Sequence, residues 1–207
     1  MRTGSGWLSF FAGKSVVSGR AVSALLISAM LSGLPGCSSI STGSRYDPDC
    51  KYSLKKRKTH ISRIVPGSPL PVTVELPVKV SGESIEQLFT AVKDRMGTAY
   101  RWGGTATDGF DCSGFVQYLY EESFQLKMPR TSSDMASLGR VVPRKKLMQG
   151  DLVFFSNGGK SIDHVGIYMG DNRFAHVSTS SGVRIDRLDS RYYDRRYACA
   201  ARVVSRN

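Results

Sequence analysis

The order of hydrophobic periodicities along the chain constrains the fold more than any other feature of the sequence. Apolar residues recur at helical spacing in two segments, which begin near Ser84 and Cys112. Three short apolar or alternating runs follow at 151–155, 165–169 and 173–177, separated by Gly, Asp and Asn. This order predicts an α+β domain in which two helices pack on an antiparallel sheet.

Capping and turn signals set the bounds of the two helices. The first is predicted to begin at Ser84, with Gln87 three residues on as in a capping box, and to end at Gly97. Its expected buried stripe is Ile85, Leu88, Phe89, Val92 and Met96. The second should run from Cys112 to Ser123, with a buried stripe of Phe115, Val116, Leu119 and Tyr120.

The N-terminal region predicts export. The apolar run from Ala21 to Leu34 follows basic residues and is shorter than the roughly 20 residues that span a bilayer, so residues 1–36 are predicted to be a signal peptide. The run ends in Leu-Pro-Gly-Cys, which resembles the bacterial lipoprotein box. The resemblance implies a lipid anchor at Cys37 and, in a Gram-negative host, the periplasmic face of the outer membrane. An uncleaved N-terminal anchor is the alternative.

Residues 37–81 have little periodicity and much Ser, Gly, Pro and Lys. We predict a flexible basic tether here, followed by a domain at 82–207. The formal net charge of +12 favours wall polymers or lipid head groups over nucleic acid as the polyanion of an exported protein. The basic cluster at 55–58 is expected to be solvated, and contact with an anionic surface is the alternative.

Cys112 is the candidate nucleophile, because a helix N-terminus favours a thiolate. That effect is smaller than one pKa unit, so a neighbouring histidine is needed. His60 lies in the predicted tether and receives no role, which leaves His164 and His176. If the residues 170–172 form a three-residue hairpin loop, Gly166 opposes His176 and both histidines share one face. This register predicts a triad of nucleophile, base and orienting residue.

Other interpretations of these residues remain open. Cys112 beside Asp111 is compatible with a purely structural role, and a lone histidine on a strand is often a satisfied polar residue. Cys112, His164 and His176 are also compatible with a zinc site, although no close ligand pair such as Cys-x-x-Cys is present. We expect neither a metal nor another cofactor.

Six ordered motifs resemble the signatures of the NlpC-type cell-wall peptidases over about residues 84–206. They are Tyr100-Arg101-Trp102-Gly103-Gly104, Gly109-Phe110-Asp111-Cys112-Ser113-Gly114-Phe115-Val116, Pro129-Arg130, Gly150-Asp151-Leu152-Val153-Phe154-Phe155, Asp163-His164-Val165-Gly166-Ile167-Tyr168 and Phe174-Ala175-His176-Val177-Ser178. The resemblance implies a papain-like fold in permuted, reduced form. It also implies hydrolysis of amide bonds in peptidoglycan stem peptides by a monomer.

The resemblance assigns the nucleophile, base and orienter to Cys112, His164 and His176. It places Tyr100 beside the nucleophile, with Ser113 and Arg130 as further candidates for substrate contact. Arg130 is equally compatible with a structural ion pair. The motifs leave open another thiol acyl-transfer enzyme of the envelope, such as an amidase or acyltransferase, and a non-catalytic envelope adaptor.

Two cysteines remain once Cys37 and Cys112 have been assigned. Cys50 and Cys199 are compatible with a disulfide in an oxidising compartment, but buried thiols that fill apolar space are the favoured interpretation.

Overall fold

The computed structural model describes residues 48–207, so the predicted signal peptide, Cys37 and the first part of the predicted tether lie outside it. The elements in chain order are β1 (His60–Arg63), β2 (Val72–Glu75), β3 (Val78–Val80), α1 (Gly82–Asp94), β4 (Thr105–Ala106), β5 (Gly109–Phe110), α2 (Cys112–Phe124), α3 (Ser132–Ala136), β6 (Arg140–Val141), a 3₁₀ turn (Arg144–Lys146), β7 (Leu152–Phe155), β8 (His164–Gly170), β9 (Arg173–Ser178), β10 (Gly182–Arg187), α4 (Arg191–Arg196), β11 (Tyr197–Arg202) and β12 (Val204–Arg206). Within the described range, no helix combines the length and apolar character that crossing a bilayer requires.

The main sheet is antiparallel, with strand order β10-β9-β8-β7-β11-β6. Because side chains alternate between the faces of a strand, β7 sends Leu152 and Phe154 into one core and Val153 and Phe155 into a second. α1 and α2 pack together on the first core, where α2 covers β8 and β9. The predicted α+β class, with helices on an antiparallel sheet, is confirmed.

Both predicted helices are present, and the start of the first differs from the prediction. Ser81, not Ser84, caps α1, because the Ser81 hydroxyl accepts the N–H of Ser84 at 3.1 Å. The helix ends at Asp94, so Met96 lies beyond it and is 45% exposed instead of buried. The other four residues of the predicted stripe are buried.

The hairpin between β8 and β9 keeps the predicted register through a different turn. Tyr168 opposes Phe174, as a three-residue loop would require. The turn contains only Asp171 and Asn172, whose φ angles of 50° and 56° match a type I′ turn. The pairing shifts at Met169, so a β-bulge supplies the extra residue and leaves the faces of both strands as predicted.

The prediction of a flexible tether is wrong for the second half of that segment, because this half packs on the domain. Ile61 is 7% exposed, and Val78 and Val80 are each 6% exposed in the first core. β3 pairs in parallel with β12 at the other end of the chain. Arg57, from the basic cluster expected to be solvated, donates to the carbonyl oxygens of Leu138 and Gly139 at 3.2 and 3.3 Å. The domain therefore begins well before residue 82.

Cys50 and Cys199 both lie in the first core, at 2% and 1% exposure. The N–H of Lys51 donates to the carbonyl oxygen of Ala198 at 3.1 Å, which brings the chain around Cys50 alongside β11. Cys50 is thus part of the packed domain and not of a mobile linker.

Candidate active site

Cys112 occupies the first position of α2. Asp111 caps this helix, and its Oδ1 accepts the N–H of Gly114 at 2.7 Å. The half-buried Cys112 therefore sits where unpaired backbone N–H groups and the helix dipole favour a negative charge by about 0.3–1 kcal/mol. Its Sγ lies 4.0 Å from the carbonyl oxygen of Asp163, directly before β8.

His164 and His176 lie together on one face of the sheet, as predicted. His164 Nε2 is 3.0 Å from His176 Nδ1, and the two rings are almost perpendicular, at 84°. A side chain on Gly166 would crowd the part of β9 that carries the second ring. A Cβ there would lie 2.6 Å from the Phe174 ring and 3.2 Å from His176 Cβ.

The electrostatics of the site favour a neutral resting pair. Burial raises the pKa of the Cys112 thiol, although the backbone N–H groups of Val165 and Ser113 oppose the shift. Burial, together with the neighbouring His176, lowers the pKa of His164 to about 3. The sequence suggested a thiolate stabilised by an imidazolium. The two shifts instead favour a thiol and a neutral imidazole, and both side chains line one cavity.

Two residues that the sequence reasoning missed contact the far side of His176. Asp186 Oδ2 lies 3.0 Å from His176 Nε2, and the Tyr193 hydroxyl lies 3.1 Å from the same nitrogen. Asp186 lies on β10, where Arg184 and Asp186 alternate with buried or half-buried apolar residues. That alternation could have predicted a strand, and the polar face of this strand contacts His176. Tyr193 comes from α4, and nothing in its local sequence points to the site.

An open cavity of about 620 Å³ joins the predicted site residues. Its lining includes Cys112, His164, His176, Tyr100, Ser113 and Arg130. Burial, and next the nearby Cys112, raise the pKa of Tyr100, so its hydroxyl stays protonated and is a hydrogen-bond donor at neutral pH. The structure thus brings together all six residues that the sequence predicted to act in one site.

Arg130 forms an ion pair with Asp111, so the structural alternative for this residue holds. Its Nη1 lies 3.1 Å from Asp111 Oδ1, and its Nη2 makes a second short contact with Oδ2. The same Nη1 donates to the Ser113 hydroxyl at 2.8 Å. This network ties the residues on either side of Cys112 to one wall of the cavity, which fixes the start of α2.

Trp102, which the sequence identified only as part of a motif, is an exposed aromatic residue at the cavity. Its relative exposure is 88%, and Tyr192, at 52%, also lines the cavity. These two rings offer flat surfaces beside the cysteine.

Metal binding at this site finds no support in the described part of the chain. Within residues 48–207, no group of three or more His, Cys, Asp or Glu side chains is arranged to hold a metal ion.

Comparisons with known proteins identify the family. The model of the NlpC/P60 family matches residues 97–202. The murein DD-endopeptidase MepS/murein LD-carboxypeptidase of Escherichia coli K12 is 46% identical over 114 residues, which cover 55% of this chain and 60% of that protein. A probable endopeptidase NlpC homolog of Haemophilus influenzae is 40% identical over 117 residues, or 56% and 62% of the two chains.

A solved NlpC/P60 family protein from Bacillus cereus superposes with a TM-score of 0.56 at 28% identity, over 73% of this chain and 53% of that one. The family model extends over half of the chain and includes α2, the main sheet, Cys112 and both histidines. The match confirms the resemblance carried by the six motifs and the papain-like fold that it implied. The chain belongs to the NlpC/P60 family.

Proposed function

We propose that the protein is a cysteine endopeptidase that hydrolyses peptide bonds in the stem peptides of peptidoglycan. The observation that carries the proposal is the placement of Cys112 at a helix N-terminus in one cavity with the His164–His176 pair. A thiol, a base and a group that orients the base are what acyl transfer needs. In this proposal Cys112 is the nucleophile, His164 the base and His176 the orienter.

The first half-reaction forms an acyl-enzyme. Because His164 Nε2 is engaged by His176, its Nδ1 is the nitrogen available to take the Cys112 proton. The sulfur attacks the peptide carbonyl, and the oxyanion that develops is stabilised by N–H groups at the start of α2 and by the Tyr100 hydroxyl. The C–N bond then breaks, and His164 returns its proton to the leaving amine.

The second half-reaction regenerates the thiol. Water enters the open cavity and gives a proton to His164, and the resulting hydroxide attacks the thioester carbonyl. The C–S bond breaks, the acid product leaves, and the sulfur recovers its proton from His164. In both half-reactions His164 takes up a proton and then gives it back, while the carboxylate of Asp186 remains ionised.

The relatives support peptidoglycan as the substrate class. One is named a murein DD-endopeptidase, and a second relative, from Bacillus subtilis, is named a probable peptidoglycan endopeptidase. The chain spans about 60% of the length of the first of these relatives and 34% of the second, so their substrate is carried over as a proposal. Arg130, Ser113 and the exposed Trp102 line the cavity where a stem peptide would lie.

Digestion of purified peptidoglycan tests the proposal. The protein and Cys112→Ala are incubated with the polymer, and the products are identified by mass spectrometry. New amine and carboxylate ends in stem peptides, absent with the variant, are the expected result, and their masses identify the bond. Release of whole stem peptides by cleavage of their amide bond to the lactyl group of the glycan would instead indicate an amidase. No product from the wild-type protein would favour a binding adaptor.

We also propose that the protein acts from the cell envelope, anchored by a lipid on Cys37 as a monomer. The sequence Leu34-Pro35-Gly36-Cys37 after an apolar run supports the anchor, and the basic charge favours the anionic wall. Labelling of cells with an alkyne fatty acid should mark the protein, and Cys37→Ser should abolish the label and release the protein into the soluble fraction. Labelling that persists in Cys37→Ser would contradict the anchor.

A further inference from the structure

The two nitrogens of His176 have different partners on opposite sides of the ring. Nδ1 faces His164 Nε2 at 3.0 Å, whereas Nε2 faces Asp186 Oδ2 at 3.0 Å and the Tyr193 hydroxyl at 3.1 Å. His176 is 1% exposed, so no bulk water replaces these partners. The contacts therefore decide where the single proton of the neutral ring resides.

Asp186 determines that placement because it is ionised. Burial opposes ionisation, yet the bonds from His176 and Arg184 hold the pKa of Asp186 below its ordinary value. A carboxylate only accepts hydrogen bonds, so His176 carries its proton on Nε2. Its Nδ1 is then an acceptor, which requires the hydrogen between the two rings to belong to His164 Nε2. His164 Nδ1 is left with its lone pair.

We propose that Asp186 is a positioning residue that acts through His176 to hold His164 in the tautomer whose bare Nδ1 is able to accept the proton of Cys112. The chain of donors runs from sulfur to His164, from His164 to His176 and from His176 to the carboxylate. The expected effect on turnover rests on the proposed function. The positions of the protons on His164 and His176 do not depend on the substrate.

The surroundings of His176 support a role beyond a surface ion pair. The titratable or charged groups that face the ring are His164 on β8, Arg184 and Asp186 on β10, and Tyr193 on α4. Phe174 stacks on the ring with centroids 4.9 Å apart. Arg184 holds Asp186 Oδ1 at 2.5 Å, which leaves Oδ2 for the histidine. Each oxygen of the carboxylate thus has its own partner.

Asp186→Asn tests the inference, because an amide is able to donate. If the new side-chain amide gives a hydrogen bond to His176 Nε2, the proton of His176 moves to Nδ1 and points at His164. His164 then carries its proton on Nδ1, which no longer accepts one from the thiol. Loss of the carboxylate directly bonded to a catalytic histidine costs about 10⁴-fold, and with one more residue between them we expect about 10- to 100-fold in turnover.

Nitrogen-15 NMR of the full-length protein reads the tautomers without substrate. The wild-type spectrum should show His164 protonated on Nε2 and unprotonated on Nδ1, and Asp186→Asn should show protonation moved to Nδ1. Asp186→Glu, which restores a carboxylate, should recover part of the turnover and the wild-type tautomer. Tyr193→Phe keeps the ring contacts and should leave the tautomer unchanged.

Asp189→Asn is the matched control. Asp189 pairs with Arg187 as Asp186 pairs with Arg184, but it lies outside the cavity lining. It should retain wild-type turnover, tautomers and melting temperature. A wild-type His164 protonated on Nδ1, or an Asp186→Asn protein with wild-type tautomers and turnover, would overturn the inference. Wild-type protein with the expected tautomers and no hydrolysis of peptidoglycan would refute the proposed function alone.

Discussion

His164 Nε2 and His176 Nδ1 lie 3.0 Å apart in rings that are nearly perpendicular. One nitrogen of the proposed base is therefore committed to its neighbour, which leaves Nδ1 as the nitrogen available for proton transfer. A histidine fixed in this way loses the freedom to present either nitrogen, so its orientation is set before substrate arrives.

Cys112→Ala should reduce hydrolysis of peptidoglycan by at least about 10⁴-fold while preserving the fold, because it removes the attacking sulfur and little buried volume. Iodoacetamide should inhibit the wild-type protein, and a metal chelator should not. Cys50→Ala is the control, because it removes a thiol outside the cavity and should remain active and sensitive to iodoacetamide. Chelator-sensitive hydrolysis would contradict a thiol mechanism.

His176→Ala should lower turnover by roughly 10²- to 10⁴-fold, and His176→Asn by about tenfold less. Asparagine is able to accept from His164 Nε2 through its oxygen and to donate to Asp186 through its nitrogen. Alanine leaves both partners without these bonds. His164→Ala should be the most severe histidine variant, because it removes the base itself. Equal losses in the two His176 variants, measured as kcat/KM, would argue against an orienting role.

Much of the site followed from the sequence because its residues lie on regular elements. Helical spacing after Cys112 predicted α2, and alternation in two strands placed His164 and His176 on one face. The prediction of that register rested on a turn that the structure does not have. A two-residue turn with a bulge at Met169 gives the same pairing as a three-residue loop, so the faces were right although the loop was not.

The residues that were missed depend on contacts between distant parts of the chain. β1 to β3 are three or four residues long and lie among prolines and basic residues, so their composition predicted a tether. β3 pairs with β12, about 125 residues away. A periodic pattern within one segment does not indicate pairing between strands so far apart in the chain. Asp186 and Tyr193 likewise reach His176 from elements that follow the recognised motifs.

The alkylation rate of Cys112 should report a raised thiol pKa. Burial shifts this pKa above its ordinary value of 9.0, so the thiolate fraction at neutral pH is smaller than in a free cysteine. The rate with iodoacetamide, followed by mass spectrometry of the Cys112 peptide, should still be rising at pH 9. A preformed ion pair with His164 would instead give a plateau in the acidic range that disappears in His164→Asn.

Gly166→Ala should weaken both stability and turnover. The new Cβ would lie 2.6 Å from the Phe174 ring and 2.8 Å from the carbonyl oxygen of Ala175, so the segment of β9 that carries His176 has to move. Overpacking of this kind typically costs about 1–3 kcal/mol. Gly159→Ala is the control, because its nearest neighbour would be the Ser161 nitrogen at 3.9 Å. Urea unfolding and kcat/KM of both variants check the expectation, and a fully active Gly166→Ala would contradict it.

Acidification from pH 7 to 5 should destabilise the protein through half-buried His164 and buried His176. Burial lowers the pKa values of His164 and His176, and that of His164 falls from 6.5 to about 3. The unfolded chain therefore binds protons below pH 6.5 that the folded chain excludes, so stability is present above this pH and falls as the solution becomes more acidic. At pH 5 the loss from His164 should be about 2 kcal/mol.

Urea unfolding at both pH values measures this loss, and His164→Asn should remove the His164 share of it. Comparison of the variant with the wild type cancels the contribution of carboxyl groups. One of these is Asp151, whose pKa burial raises, so that its effect has the opposite sign. His60→Gln, which removes a histidine ring at an exposed position on β1, is the matched control variant. If His164→Asn and the wild type lose equal stability between pH 7 and 5, His164 is not held neutral by burial, and the neutral resting pair is wrong.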